Sequence, residues 1–323
     1  MSRRPTDLPT LVEGVSGGDV RAVARAITLV ENRDPLAYEL VRELYPQTGK
    51  AAVVGFTGPP GVGKSSLIAC VIAHLRSQGK KVGVVTVDPS SPFSRGALLG
   101  DRIRLADHFT DDGVFIRSMS TRGHLGGVSE ATLQALLVLD AAGIDELLLE
   151  TVGVGQSEVE VASLADTVLL VLQPGSGDSI QALKAGVMEI PDIIVINKSD
   201  HPAARTMRAE IRSVLALDPQ TARRVPIVET EAFRSEGIAE LWGAVLDHRA
   251  HLAKDGGLEA RRRQSMEHEI VAVAVAQARR RLSEALEQDP ELRRLLDDVH
   301  ARRLDPLTAT REISERVFRA GAE

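Results

Sequence analysis

The sequence holds a single cysteine, Cys70. That excludes a disulfide within the chain and any zinc or iron–sulfur site built on several thiolates. Cys70 stands among apolar residues of a predicted helix, so a buried, inert thiol is expected. Long apolar runs are missing too: none approaches the ~18 residues needed to span a membrane. The opening Met1-Ser2-Arg3-Arg4-Pro5 is basic, but no hydrophobic signal core follows it, so a cytoplasmic protein without membrane contact is expected. Positive charge is not in excess. The formal net charge is -6, which argues against a broad nucleic-acid footprint. The clusters Arg261-Arg262-Arg263 and Arg279-Arg280-Arg281 lie in helix-like sequence among Glu and Ala and read as solvated helix faces. Internal repeats and low-complexity tracts are also absent.

What remains is an ordinary globular composition, 43% hydrophobic and 26% charged over 323 residues. That suffices for one large domain with appendages or for two modest ones. Residues 8–45 read as two or three short helices, with Val20, Val23, Ile27 and Val30 at helical spacing. Thr48-Gly49-Lys50 looks like a join. From Ala52 the pattern becomes strand–helix alternation. Apolar runs at 53–56, 82–87, 147–149, 168–172, 193–196 and 226–228 are short and nearly unbroken, as buried parallel strands are. Helical patterns occupy 65–77, 130–142, 180–188, 204–215 and 237–251. After Asp255-Gly256-Gly257 only helices are predicted: one through Met266, Ile270, Val273 and Val275 that Asp289-Pro290 breaks, then 292–302 and 306–318. The expected fold is a doubly wound α/β domain with a mostly parallel sheet. Its divisions are a helical extension at 1–48, a P-loop domain at 49–254 and a helical extension at 255–323.

Three motifs carry chemistry. Gly58-Pro59-Pro60-Gly61-Val62-Gly63-Lys64-Ser65 fits the P-loop pattern between a strand and a helix, with Ser66 continuing it. Its glycines let consecutive N–H groups line one concavity, and the helix N-terminus adds its dipole. Lys64 would face the β- and γ-phosphates, and Ser65 would offer a hydroxyl to Mg²⁺. Asp88, Asp101 and Glu150 lie at or just after strand ends, on the edge where such sheets bind ligands, and are the candidate metal acids. Glu150-Thr151-Val152-Gly153 has the spacing of an Asp-x-x-Gly sensor, with Gly153 offering its N–H to the γ-phosphate and 154–158 following as a switch. Asn197-Lys198-Ser199-Asp200 follows a strand and would read guanine. Asp200 can accept from N1 and the exocyclic amine, a donor pair adenine lacks. Glu231-Ala232-Phe233 is the candidate supporting loop, with the Ala232 backbone as its expected contact.

Several stretches resemble the cobalamin-chaperone GTPases of the MeaB/ArgK type: 58–66, Val87-Asp88-Pro89-Ser90-Ser91, Thr121-Arg122-Gly123-His124-Leu125-Gly126-Gly127 and the stretch from Glu150 through Gly155-Gln156-Ser157 to Glu158. Ala26-Ile27-Thr28-Leu29-Val30-Glu31 also fits, so the resemblance runs from about residue 10 to about residue 265. It implies a slow GTPase that a partner mutase accelerates. Such proteins gate adenosylcobalamin delivery to acyl-CoA mutases, bind GTP and Mg²⁺ but not cobalamin, and resemble homodimers joined through C-terminal helices. It places the Mg²⁺-linked acids at Asp88, Asp101 and Glu150. It also maps a nucleotide-responsive loop onto 175–186, with Asp178 and Lys184 as candidates for coupling to the mutase. Asp88 and Gln156 are the candidates to position water. An arginine finger comes either from Arg122 or from the partner. Glu231 and His201 depart from the family pattern. The rival readings are a nickel-metallochaperone GTPase, which would need Cys/His ligands, a protein kinase, whose catalytic-loop and metal motifs are lacking, and a GTP-responsive scaffold with vestigial hydrolysis.

Overall fold

The computed structural model describes residues 7–88, 105, 108–120, 127–151, 163–175, 191–216 and 225–319. Three helices come first: α1 (Leu8–Ser16), α2 (Val20–Glu31) and α3 (Pro35–Leu44). The starts of α2 and α3 follow from aspartate caps. The Asp19 carboxylate accepts from Ala22 N at 2.7 Å, and that of Asp34 from Leu36 N at 3.0 Å, ahead of Pro35. α2 buries Val23, Ala26, Ile27 and Val30. Val20, assigned to that stripe from spacing, is 55% exposed, and Ala26 takes its place.

The sheet has seven strands: β1 (Ala52–Thr57), β2 (Val82–Asp88), β3 (Val114–Ser120), β4 (Glu146–Thr151), β5 (Thr167–Leu172), β6 (Ile193–Asn197) and β7 (Ile227–Thr230). They are all parallel, in the order β3-β2-β4-β1-β5-β6-β7. The sequence reading missed β3. Arg117 and two serines interrupt its apolar pattern, and as an edge strand it has a sheet neighbour on one side only. The central strands β4, β5 and β6 are buried along their whole length, as their unbroken apolar runs require.

The remaining helices are α4 (Lys64–Ser77), α5 (Gly127–Ala141), α6 (Ala204–Leu215), α7 (Ile238–Lys254), α8 (Gly257–Gln288), α9 (Pro290–His300) and α10 (Pro306–Arg319). α4 and α7 cover one face of the sheet, where Leu67, Val71 and Trp242 meet Val54, Val84 and Val195. The other face is shared. α5 and the N-terminal helices pack over β2 and β4, and α6 sets Met207 and Ile211 against Leu172 and Ile194. The first three helices are thus part of the same apolar layer as α5.

The N-terminal edge of the sheet is ionic. Strand starts present N–H groups that no neighbouring strand takes, and aspartates accept them. Asp140 takes Gly49, Lys50 and Ala51, at 2.5, 3.2 and 2.9 Å. Asp166 takes Val53 and Asp192 takes Val168, both at 2.9 Å. Arginines then neutralise the carboxylates. Arg262 holds Asp166 through two bonds of 2.7 Å and adds Ala51 O at 2.9 Å. Arg261 and His248 lie 2.9 and 3.1 Å from Asp192. Burial opposes the charge on Asp192, yet those two partners keep its carboxyl below the ordinary range. Arg249 grips Glu146 with its two terminal nitrogens, at 3.0 and 2.8 Å. Arg261 and Arg262 are therefore docked ion-pair partners, contrary to the solvated-face reading.

The chain forms two compact units, residues 1–267 and 268–323, with the division inside α8. In the second unit, Leu292, Ile313 and Val317 form a small core with Leu282 and Leu286. Ile270, Val271 and Val275 are each about 60% exposed in the chain. Among the described residues no helix is long and apolar enough to cross a membrane.

Candidate nucleotide site

The C-terminal edge of the sheet gathers the motif residues. β1 runs into the P-loop at the centre of the sheet, between β4 and β5, where the chain passes from one half of the sheet to the other. Gly58 has φ 136°, and a Cβ there would stand 2.1 Å from Val171 O. Only glycine lets the loop leave β1 this close to β5. Gly63 has φ 94°, and a Cβ there would fall 2.5 Å from Asn197 Nδ2.

α4 begins at Lys64, with its N-terminus facing the loop. The Lys64 ammonium donates to Gly58 O at 2.5 Å and Pro59 O at 3.0 Å. It is 6% exposed, so its charge is buried beneath the cradle. The register pairs Glu150 with Phe56, one residue from the end of β1. This brings the Glu150 carboxylate to Ser65, whose hydroxyl donates to Oε1 at 2.7 Å. Both are 4% exposed. A hydroxyl and a carboxylate in contact are an all-oxygen donor set, the kind that suits a hard divalent cation.

Asn197, at the end of β6, ties three parts of the site together. Its Nδ2 donates to Val62 O at 2.8 Å, inside the P-loop. Its Oδ1 accepts from Thr230 Oγ1 at 3.2 Å and from Ala232 N at 3.3 Å. The asparagine is 2% exposed, which fixes its amide. Lys198 follows with φ 57°. Its ammonium donates to Gly61 O at 3.2 Å and to Gln173 Oε1 at the end of β5. Ser199 N bonds Thr230 O at 3.1 Å, so the Asp200 turn is tied to β7. Asp200 is exposed at that corner. After β7 a 3₁₀ turn, Ala232–Arg234, carries Phe233, which is 97% exposed. Glu231 is 7% exposed and lies 3.3 Å from Arg234 Nε.

The family model for methylmalonyl-CoA mutase-associated GTPase MeaB matches residues 23–287. The chain belongs to the MeaB family. It is a P-loop GTPase. A protein of Pyrococcus abyssi named as a GTPase is 46% identical over 315 residues, covering 96% of this chain and 97% of its own. GTPase ArgK of Escherichia coli is 35% identical, covering 92% and 93%. Among solved structures, that of an LAO/AO transport system kinase is similar at a TM-score of 0.71 and 29% identity, over 98% of this chain and 99% of that one.

The structure of this MeaB-family chain brings Gly58, Pro59, Pro60, Gly61, Val62, Gly63, Lys64, Ser65, Ser66, Glu150, Asn197, Lys198, Asp200, Glu231, Ala232 and Phe233 to one edge of the sheet. The Asp88 backbone ends β2 on that edge. Its side chain lies outside the described residues, as do Asp101, Arg122, Gly153, Gln156, Asp178 and Lys184. Of the Ala232 backbone, the loop's expected contact, the N–H is engaged by Asn197. His201, unusual after the base motif, accepts Ala203 N at Nδ1 and so shapes the approach to α6. Three participants went unread: Gln173, Thr230 and Cys70. Thr230 ends β7 directly before the loop, a place where a buried hydroxyl could have been expected to seek a partner. Cys70 is half-buried, not buried, and donates from Sγ to Ala232 O at 3.0 Å.

Proposed function

We propose that this GTPase is a chaperone for an adenosylcobalamin-dependent acyl-CoA mutase, with methylmalonyl-CoA mutase or a relative as client. It binds GTP and releases GDP in the cytoplasm, and it does not bind cobalamin itself. Hydrolysis gates loading of the cofactor and protects or reactivates the mutase. The observation that carries this reading is the family match over residues 23–287.

The roles follow from the geometry of phosphoryl transfer, which needs positioning and charge neutralisation more than covalent chemistry. The P-loop N–H groups hold the phosphate chain. Lys64 exchanges its two loop carbonyls for phosphate oxygens when nucleotide enters. Ser65 and Glu150, with Asp88 and Asp101, are the residues that would hold Mg²⁺, some of them through water. When bound, such an ion would supply charge neutralisation on the phosphate chain. Asp88, Gln156 and the Gly153 N–H position the attacking water and the γ-phosphate. Asp200 reads the guanine edge, Lys198 lies along the base, and Asn197 fixes the P-loop against the supporting loop 231–233.

The test is multiple-turnover GTP hydrolysis with and without a candidate acyl-CoA mutase, with ATP as control. Slow GTP-specific turnover that rises with the mutase is expected. GTP-specific turnover that no mutase changes removes the chaperone role and leaves the GTPase.

The partner copy is assigned to the C-terminal helices, where Ile270, Val271 and Val275 present apolar surface. A chain ended after Glu267 keeps Arg261 and Arg262 in place and is expected to sediment as a monomer where the full chain is a dimer. A dimer that survives this cut puts the interface elsewhere.

A further inference from the structure

The backbone N–H and C=O of Ala232 are each held by a side chain of another element. Asn197 Oδ1 on β6 accepts its N–H at 3.3 Å, and Cys70 Sγ on α4 donates to its carbonyl at 3.0 Å. Ser235 Oγ in turn donates to Cys70 Sγ at 3.6 Å. The turn's other hydrogen bonds are local, and Ala232 packs against the core that α4 and α7 share. Backbone bonds between Glu231 and Glu236, both 3.1 Å, close it, and the Arg234 ion pair stays within it. Phe233 at its tip is 97% exposed and adds no packing. Among the described residues, Cys70 and Asn197 supply the hydrogen bonds that tie Ala232 to other elements of the site. Cys70 sits less than two turns beyond Lys64 on the same helix. One rigid element thus carries the phosphate lysine at its start and a hold on the base-side loop further along.

We propose that Cys70 is a positioning residue: by hydrogen-bonding Ala232 it fixes the base-side loop to the phosphate-binding helix and so sets how tightly this chain holds guanine. The proposal rests on the reading that 197–200 and 231–233 surround the base. Contacts to the base are the same before and during phosphoryl transfer, so loosening them weakens binding without slowing the chemical step. Where chemistry is slow, KM follows the dissociation constant. Cys70→Ala is therefore expected to raise KM for GTP by about threefold, the scale of one net hydrogen bond, with kcat within about twofold of the parent. Cys70→Ser keeps a donor on a side chain of similar size and is expected to restore KM.

The experiment measures KM, kcat and thermal midpoint for the full-length parent, Cys70→Ala, Cys70→Ser and Asp200→Asn, with GTP and xanthosine triphosphate. A raised KM in the alanine variant, rescued by serine, supports the positioning role. An unchanged KM in Cys70→Ala overturns it if Asp200→Asn still turns preference toward xanthosine triphosphate. So does a serine variant as impaired as the alanine one, since packing would then explain the loss. If Asp200→Asn leaves GTP preference intact, the base-reading assignment itself fails, and the proposal falls with it.

Discussion

The two edges of the one parallel sheet are built on opposite plans. At the C-terminal edge, glycines, Ser65 and the Asn197 amide leave room, and backbone groups do much of the holding. Among the described residues, Lys64, Glu150 and Glu231 are buried there, while Lys198 and Asp200 are exposed. At the N-terminal edge, aspartates take the strand N–H groups, and Arg249, Arg261 and Arg262 close over the carboxylates. One edge is shaped to receive an anion that is not part of the chain. At the other, the chain's own arginines meet the carboxylates. A glycine-built, open edge is tolerated where a ligand completes the site, and the opposite edge carries the cross-links that hold α7 and α8 to the strands.

This contrast can be broken at its most specific point. If the nucleotide edge is set by local groups, one atom should redirect it without loosening the fold. Asp200→Asn replaces an acceptor for the guanine N1 and amine with a group that offers a donor, which suits the extra carbonyl of xanthine. The expected change in preference between GTP and xanthosine triphosphate is about 10³-fold or more. The thermal midpoint should stay within about 1 °C of the parent, because Asp200 is an exposed turn residue. Competition binding with both nucleotides and a melting curve decide it. Preference unchanged, or a large stability loss, would show that Asp200 belongs to the scaffold.

The same contrast explains what the sequence disclosed. The P-loop and the Asn197 motif were legible because their chemistry lies within eight and four consecutive residues, and the strands because burial on both faces leaves unbroken apolar runs. The placement of α6 at 204–215 followed from its 3.6-residue stripe. β3 was missed because an edge strand carries Arg117 without penalty, pairing it with Glu31 of α2. The arginine pair was misread for a deeper reason. Arg262 and Asp166 are far apart in the chain, and Arg261 and Asp192 likewise, so no local spacing announces either pair. Cys70 is the same case at the nucleotide edge, since its partner Ala232 lies on a loop met much later in the sequence. Motifs record contacts within a segment, whereas the folded chain makes its longest-range contacts between single residues.

Arg262 sharpens the other half of the comparison, with a smaller effect of a different kind. Its guanidinium joins the Asp166 carboxylate, Gly49 O and Ala51 O, and so ties the start of α8 to the entry of β1 and the foot of β5. Truncation to alanine leaves Asp166, 5% exposed, with the Val53 N–H but no countercharge from Arg262. Losing one partner of a fully buried pair costs about 3–5 kcal/mol. Arg262 is 34% exposed, so solvent screens part of that, and about 2 kcal/mol is expected. For a unit of this size that lowers the melting midpoint by roughly 3–4 °C. Arg262→Lys should recover only part of the loss, because an ammonium cannot span a bidentate carboxylate and two carbonyls at once. In both variants KM for GTP and the preference over xanthosine triphosphate should match the parent. A drop in stability with unchanged nucleotide binding keeps the two edges independent. A changed KM would mean that β1 and β5 pass the disturbance from their feet to the P-loop, and the division of labour between the edges would have to be given up.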